Sequence, residues 1–243
     1  MKTKKSTNPP SMALTSQADE VNLILAGTGS ASIDWGDGSE LQHVTLVASL
    51  EEWRDIVLTQ AYSDGYSHTI KITGENITHF TCCMNELTDL DVTQNQKLID
   101  LVCCNNFLTT LNLSNNPALH FINCSDNHLS SLNVSNNPAL KCICAYTNYL
   151  TTLDVSKSKE LEVLDCDFND ITKLDLTNNT NLKLLYLDEN QLDTNALNCL
   201  LESLNDDATE GKTINITDNP GTPNCDRTIA TQKGWLVPEP PSC

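Results

Sequence analysis

Eleven cysteines are the residues of this 243-residue chain with the most chemistry to offer. Their number is odd, so they cannot all pair within one molecule. Cys82, Cys103, Cys124 and Cys166 fall on multiples of twenty-one residues, which ties them to a repeating architecture rather than to a single site. Zinc needs four converging ligands. The adjacent pairs Cys82/Cys83 and Cys103/Cys104 point to opposite faces of any strand, and no His stands beside them in a ligand spacing. No metal and no cofactor is therefore expected. Asp34 and Asp37 lack the alternating Asp spacing and the distant Glu of a calcium loop, and read as a glycine turn. Asp165/Asp167 and Asp188/Glu189 are carboxylate pairs. On a solvated face they would lack the burial that separates an acid from a base, so they read as surface charge. His120 and His128 have no nucleophile at a recognisable spacing, and no Gly-x-Ser-x-Gly, His-Glu-x-x-His or phosphate loop is present. The chain reads as a non-enzyme.

The elements that must position these residues follow from a twenty-one-residue period. Six turns start at Ile77, Leu98, Leu119, Leu140, Leu161 and Leu182, with apolar residues at positions 1, 4, 6, 11, 14 and 16. Positions 4 and 6 alternate with variable positions 3 and 5, which is strand periodicity with the even positions inward. Position 9 is Asn in all six turns, from Asn85 to Asn190. An Asn just after the strand supplies donors and an acceptor to backbone groups that the bend leaves facing the interior. A second ladder runs through Asn95, Asn116, Asn137 and Asn179, with Ser158 as its departure.

This Leu-x-x-Leu-x-Leu-x-x-Asn pattern resembles the leucine-rich repeat family. The fold class expected is mainly β: a short-period repeat solenoid with a β-sandwich-like cap in front and a small helix-plus-strand cap behind. In-register side chains of neighbouring turns would hold their Cβ atoms about 4.8 Å apart, against about 3.5–4.5 Å for a disulfide. The position-6 cysteines are thus expected to be packed thiols. At position 7, Cys83 and Cys104 lie nearer the surface, where a strained bridge or a thiol pair both remain open.

Residues 1–17 read as a disordered leader and residues 18–76 as the front unit. The repeats occupy 77–192 and the rear cap 193–243. Within the front unit, Asp34-Trp-Gly-Asp-Gly-Ser39 and Tyr66-Ser-His-Thr-Ile-Lys-Ile72 resemble a short polycystic-kidney-disease-type β-sandwich. In the rear cap, Leu197, Leu200, Leu201 and Leu204 mark an amphipathic helix starting near Asp193. Cys199 on that helix and Cys225 in the returning segment lie outside the ladder. They are expected to form a disulfide in an oxidising compartment, contributing roughly 3 kcal/mol. The Asn219-Pro-Gly turn and the Lys-Gly-Trp run resemble the ends of bacterial surface leucine-rich repeat proteins, which implies an extracytoplasmic home. No signal segment is visible in the chain itself.

Net charge narrows the partners. With 14 basic against 32 acidic residues the chain carries −18, which repels nucleic acid and anionic lipid. No apolar run reaches membrane-spanning length. The outward positions 3, 5 and 7 hold Phe121, Tyr146, Val163, Leu184 and Tyr186 among Asp165, Asp167 and Asp188. Aromatic and apolar side chains among carboxylates suit a recognition surface for a protein or glycan on a neighbouring cell or host, used by a monomer. The alternative is a structural spacer of the cell envelope, in which the same residues are cross-strand pairs and bind nothing.

Overall fold

The computed structural model describes residues 9–48, 57–206 and 210–238. The chain opens with six strands: β1 (Ser11–Ser16), β2 (Glu20–Gly27), β3 (Gly29–Asp34), β4 (Gln42–Leu46), β5 (Val57–Ala61) and β6 (His68–Gly74). Alternation drives them. Met12, Leu14, Ile33, Ile70 and Ile72 face inward from β1, β3 and β6, while Val21, Leu23 and Leu25 of β2 face them from the second layer.

The leader expected over residues 1–17 does not extend to Ser11. Strand β1 lies between β6 and β8 (Leu87–Asp91), pairing antiparallel with both. Its outward residues Ser11, Ala13 and Thr15 are small, and Ala13 breaks the alternation of polar with apolar residues, so only Met12 and Leu14 carry the pattern, too few to stand out in sequence.

Both front layers continue directly into the repeats. One sheet has the order β4-β3-β6-β1-β8. The other begins with β5 and β2, passes to β7 (Ile77–Thr81), and runs on through the parallel strands β9 (Asp100–Val102), β10 (Phe121–Asn123), β11 (Cys142–Cys144), β12 (Val163–Asp165) and β13 (Leu184–Tyr186). Strand β7 is the joint, antiparallel to β2 and parallel to β9. The front unit thereby covers the apolar edge that a solenoid would otherwise expose.

Each turn buries the same positions. Phe80, Leu101, Ile122, Ile143, Leu164 and Leu185 form one column and Cys82, Cys103, Cys124, Ala145, Cys166 and Leu187 the next, all fully buried. The first asparagine ladder binds successive turns: Asn106 Nδ2 donates to the carbonyls of Cys82 and Cys103, both at 3.0 Å, and its Oδ1 accepts from Leu87 N at 3.0 Å. The second ladder donates only. Asn137 Nδ2 reaches the carbonyls of Leu113 and Asn116 at 3.0 and 2.9 Å, but its Oδ1 has no partner among the described residues.

Position 8 shows why the bend is so regular. Met84, Asn105, Asp126, Thr147, Phe168 and Glu189 all have φ between 51° and 56°. This left-handed conformation costs a side chain about 1–2 kcal/mol. It aims the position-8 N–H at the next turn, as in Thr147 N to Asp167 O at 2.9 Å.

The rear cap is built on α1 (Thr194–Ser203), with Asp193 as N-cap, its carboxylate accepting from Ala196 N at 2.7 Å. Leu197, Leu200, Leu201 and Leu204 are buried against the last turns. Strand β14 (Thr213–Asn215) then adds to β13, followed by α2 (Thr228–Gln232). Asn219, expected as a plain turn residue, is a seventh ladder asparagine. Its Nδ2 donates to Leu187 O at 2.7 Å, its Oδ1 accepts from Leu192 N at 3.1 Å, and Asp218 before it has φ 56°. Gly221 permits this closure, because a Cβ there would lie 2.3 Å from the Asp193 carbonyl carbon. Trp235 and Lys212 complete the seal, Trp235 Nε1 donating to Asn205 O at 2.9 Å and Lys212 Nζ to Asn205 Oδ1 at 3.0 Å.

Candidate recognition surface

The outward rows of the longer sheet bring the candidate residues together. Pairing in register places Phe121, Cys142, Val163 and Leu184 side by side at position 3, and Asn123, Cys144, Asp165 and Tyr186 at position 5. Position 7 adds Tyr146, Asp167 and Asp188 at the rim. All eight candidates (Phe121, Tyr146, Val163, Asp165, Asp167, Leu184, Tyr186 and Asp188) are half-buried, packed edge to edge yet open to solvent on one side. The apolar row and the acidic and tyrosine rows run parallel from the third turn to the sixth. At the front end the character changes, with His79 and Asp100 paired at 3.2 Å.

The carboxylates depart from the reading of ordinary surface charge. Burial pushes the Asp167 carboxyl up to about 7, with Asp165 and Asp188 adding repulsion against a bond from Asp188 N that lowers it. Burial likewise raises Asp165 and Asp188. A desolvated carboxylate on a strand lies between neighbouring strands and is shielded by them, which residue type and spacing do not reveal. Asp188 also has structural duties: it accepts from Asn215 Nδ2 at 2.6 Å and from Thr217 N at 2.7 Å, tying β13 to the cap strand. Asp165 is the freest of the three, accepting among the described residues only a long bond from Asp167 N at 3.3 Å.

Asp34 and Asp37 cap their own turn, accepting from Gly36 N at 3.0 Å and Ser39 N at 2.9 Å. Gly36 has φ 77°, and a Cβ on it would meet Thr69 O at 2.5 Å. Cys199 and Cys225, expected as a pair under oxidising conditions, are both free thiols in this structure. Cys199 is exposed, on the side of α1 that lines a groove of about 800 Å³ with Thr152, Asp154 and Lys173. Cys225 packs toward the core instead and donates to Thr222 O at 3.5 Å. The returning segment meets α1 where Asp226 N donates to Asn198 Oδ1 at 2.8 Å.

A second exposed feature escaped notice in the sequence. Phe107, His128 and Tyr149, all at position 10, stack ring on ring with centroids 5.7 and 5.9 Å apart. They border a groove of about 360 Å³ shared with Asn105, Asp126 and Thr147 at position 8. Phe107 and Tyr149 remain 44% and 56% exposed, which stacking within the sheet edge does not require. Their twenty-one-residue spacing was the available signal. It was masked because Glu86, Asp170 and Gln191 occupy the same position in other turns.

No protein-family model matches the chain, and no curated protein matches it. Solved structures do. A leucine-rich repeat protein of Leptospira interrogans superposes with a TM-score of 0.52 at 20% identity, over 61% of this chain and 38% of the other. Internalin C2 of Listeria monocytogenes superposes with a TM-score of 0.51 at 19% identity, over 67% of this chain and 74% of the other. The chain thus has a leucine-rich repeat fold, and it spans well under half the length of the Leptospira protein.

Proposed function

We propose that the chain is a non-enzymatic recognition module that binds a protein through the outward face of strands β10 to β13. The observation that carries this reading is the side-by-side alignment of an apolar row, Phe121 to Leu184, with Tyr146, Tyr186 and the three aspartates. Apolar contact with tyrosine anchors gives area and specificity, and the desolvated carboxylates favour a partner that presents Lys or Arg. Stacked repeats supply extended surfaces of this kind. No helix among the described residues is long and apolar enough to cross a membrane. An extracytoplasmic, monomeric protein suits the reading, with the front sheets as a short polycystic-kidney-disease-type unit that caps and presents the solenoid.

The test is capture from host-cell or neighbouring-cell surface extracts, comparing wild type with a Tyr146→Ala/Tyr186→Ala variant. Retained proteins that are lost with the double variant support the surface. Equal recovery from both overturns it. The stacked Phe107–His128–Tyr149 edge favours a second reading, contact through the bends. A Phe107→Ala/Tyr149→Ala variant that loses the same proteins, while the sheet variant keeps them, moves the site there. Glycan microarrays run on the same variants report a carbohydrate partner directly.

A further inference from the structure

Among the half-exposed thiols, Cys83 and Cys104 have a special arrangement. They occupy position 7 of the first two turns, just where β7 joins the front unit to the repeats. The Cys104 N–H donates to Cys83 Sγ at 3.1 Å, so the Cys83 side chain leans across the gap toward the second turn. Adjacent strands bring Cα atoms to about 4.8 Å, inside the range of about 4.4–6.8 Å that a disulfide spans. The lean supplies the convergence that strictly parallel side chains lack. Both thiols also reach solvent, whereas Cys82, Cys103, Cys124 and Cys166 are fully buried.

We propose that Cys83 and Cys104 form a dithiol modification site that reacts with an external disulfide to close a Cys83–Cys104 bridge. The two sulfurs divide the work. Interaction with the Cys83 side chain, together with the Asn105 side chain, brings the Cys104 thiol down to about 7 against the opposing effect of burial. Cys83 is raised by its interaction with Cys104 and by burial. Cys104 is therefore the attacking thiolate. It bonds to one sulfur of the external disulfide, whose S–S bond breaks and releases one thiolate. Cys83 then gives its proton to solvent and attacks Cys104 Sγ, expelling the second thiolate, which takes up a proton. Two cysteine thiols are oxidised by two electrons, and one disulfide is reduced to two thiols. The bridge staples the first turn to the second at the junction with the front sheets.

The other exposed thiols are worse placed. Cys142 and Cys144 approach to 3.8 Å between sulfurs but sit two apart on one strand, with Cα atoms about 6.6 Å apart, at the limit for a bridge. Cys199 is exposed and bonded to no second sulfur among the described residues, so its reaction is expected to stop at a mixed disulfide.

The experiment uses the full chain carrying Cys199→Ser, treated with cystamine, a small cationic disulfide suited to a protein of net charge −18. Free thiols are then alkylated and peptides mapped without reduction. The expected product is a linked Cys83/Cys104 peptide that retains no cysteamine. Cys83→Ser is expected to hold one cysteamine on Cys104, and Cys104→Ser to react about tenfold more slowly at Cys83. Mapping of the parent protein needs neither variant to fold. A free Cys83/Cys104 pair alongside modified Cys142 or Cys144 overturns the proposal, as does a Cys83→Ser protein with unmodified Cys104.

Discussion

The Oδ1 of Asn127 accepts the backbone N–H of Leu108, nineteen residues earlier, at 3.0 Å. The same side chain donates to Cys103 O and Cys124 O at 3.0 and 3.1 Å, so one amide serves two turns. Asn127→Ala leaves these buried groups unpaired and is expected to cost about 1–3 kcal/mol. Asn190→Ala should cost about as much, since Asn219 continues the stack beyond it. Asn137→Ala, which loses donors only, should cost less. Urea unfolding midpoints at matched slopes check the order. An Asn127→Ala protein as stable as wild type would contradict the ladder's role.

Leu14 has no solvent exposure and lies in a strand with neighbours on both sides. Leu14→Ala should cost about 2–5 kcal/mol. In a leader it would cost nothing, so thermal melts of this one variant decide whether β1 belongs to the folded core.

Thr147 is a β-branched residue at φ 52°, where Asn105 sits comfortably at the equivalent position with φ 54°. Asn tolerates the left-handed region better than Thr, so Thr147→Asn should stabilise the protein by about 0.5–1 kcal/mol. Unchanged or reduced stability in urea would show that the bend is not strained there.

Asp167 links the surface to pH. Unfolded, its carboxyl ionises near the ordinary 3.8, and folded it keeps its proton to about 7. Across that window the folded state binds more protons than the unfolded state, so its contribution favours folding at low pH and is lost as pH rises. Asp167→Asn retains an acceptor for Asp188 N and removes the titration. It should match wild type near pH 4 and melt at higher temperature near pH 8. Parallel pH profiles for the two proteins would contradict the burial of this carboxyl.

The repeat was legible because one physical constraint recurs six times. Every turn must bury positions 4 and 6 and satisfy its bend with Asn at position 9, and both demands leave fixed residue types at fixed spacing. The closing turn was not legible, because α1 is inserted before it and moves Asn219 to twenty-nine residues beyond Asn190 rather than twenty-one. Ile214-x-Ile216-x-x-Asn219 nonetheless kept the inward pattern. Strand β1 was not legible because its outward residues are small and one of them, Ala13, is apolar, which blurs the alternation. For the surface, alternation did place Phe121, Val163 and Leu184 in one row. Burial of Asp167 and the packing of Cys225 against the core depend on neighbours distant in sequence, which local spacing does not encode.

The most direct test of recognition through the sheet face is site-specific photo-crosslinking. A benzophenone side chain is placed at Val163 on the face, at Phe107 on the bend edge, or at Asp91 in the opposite row, and each protein is irradiated with surface extract. A shared adduct at position 163 that is absent at position 91 is the expected result. Adducts of equal yield at 163 and 91, or at 107 alone, would contradict binding through β10 to β13.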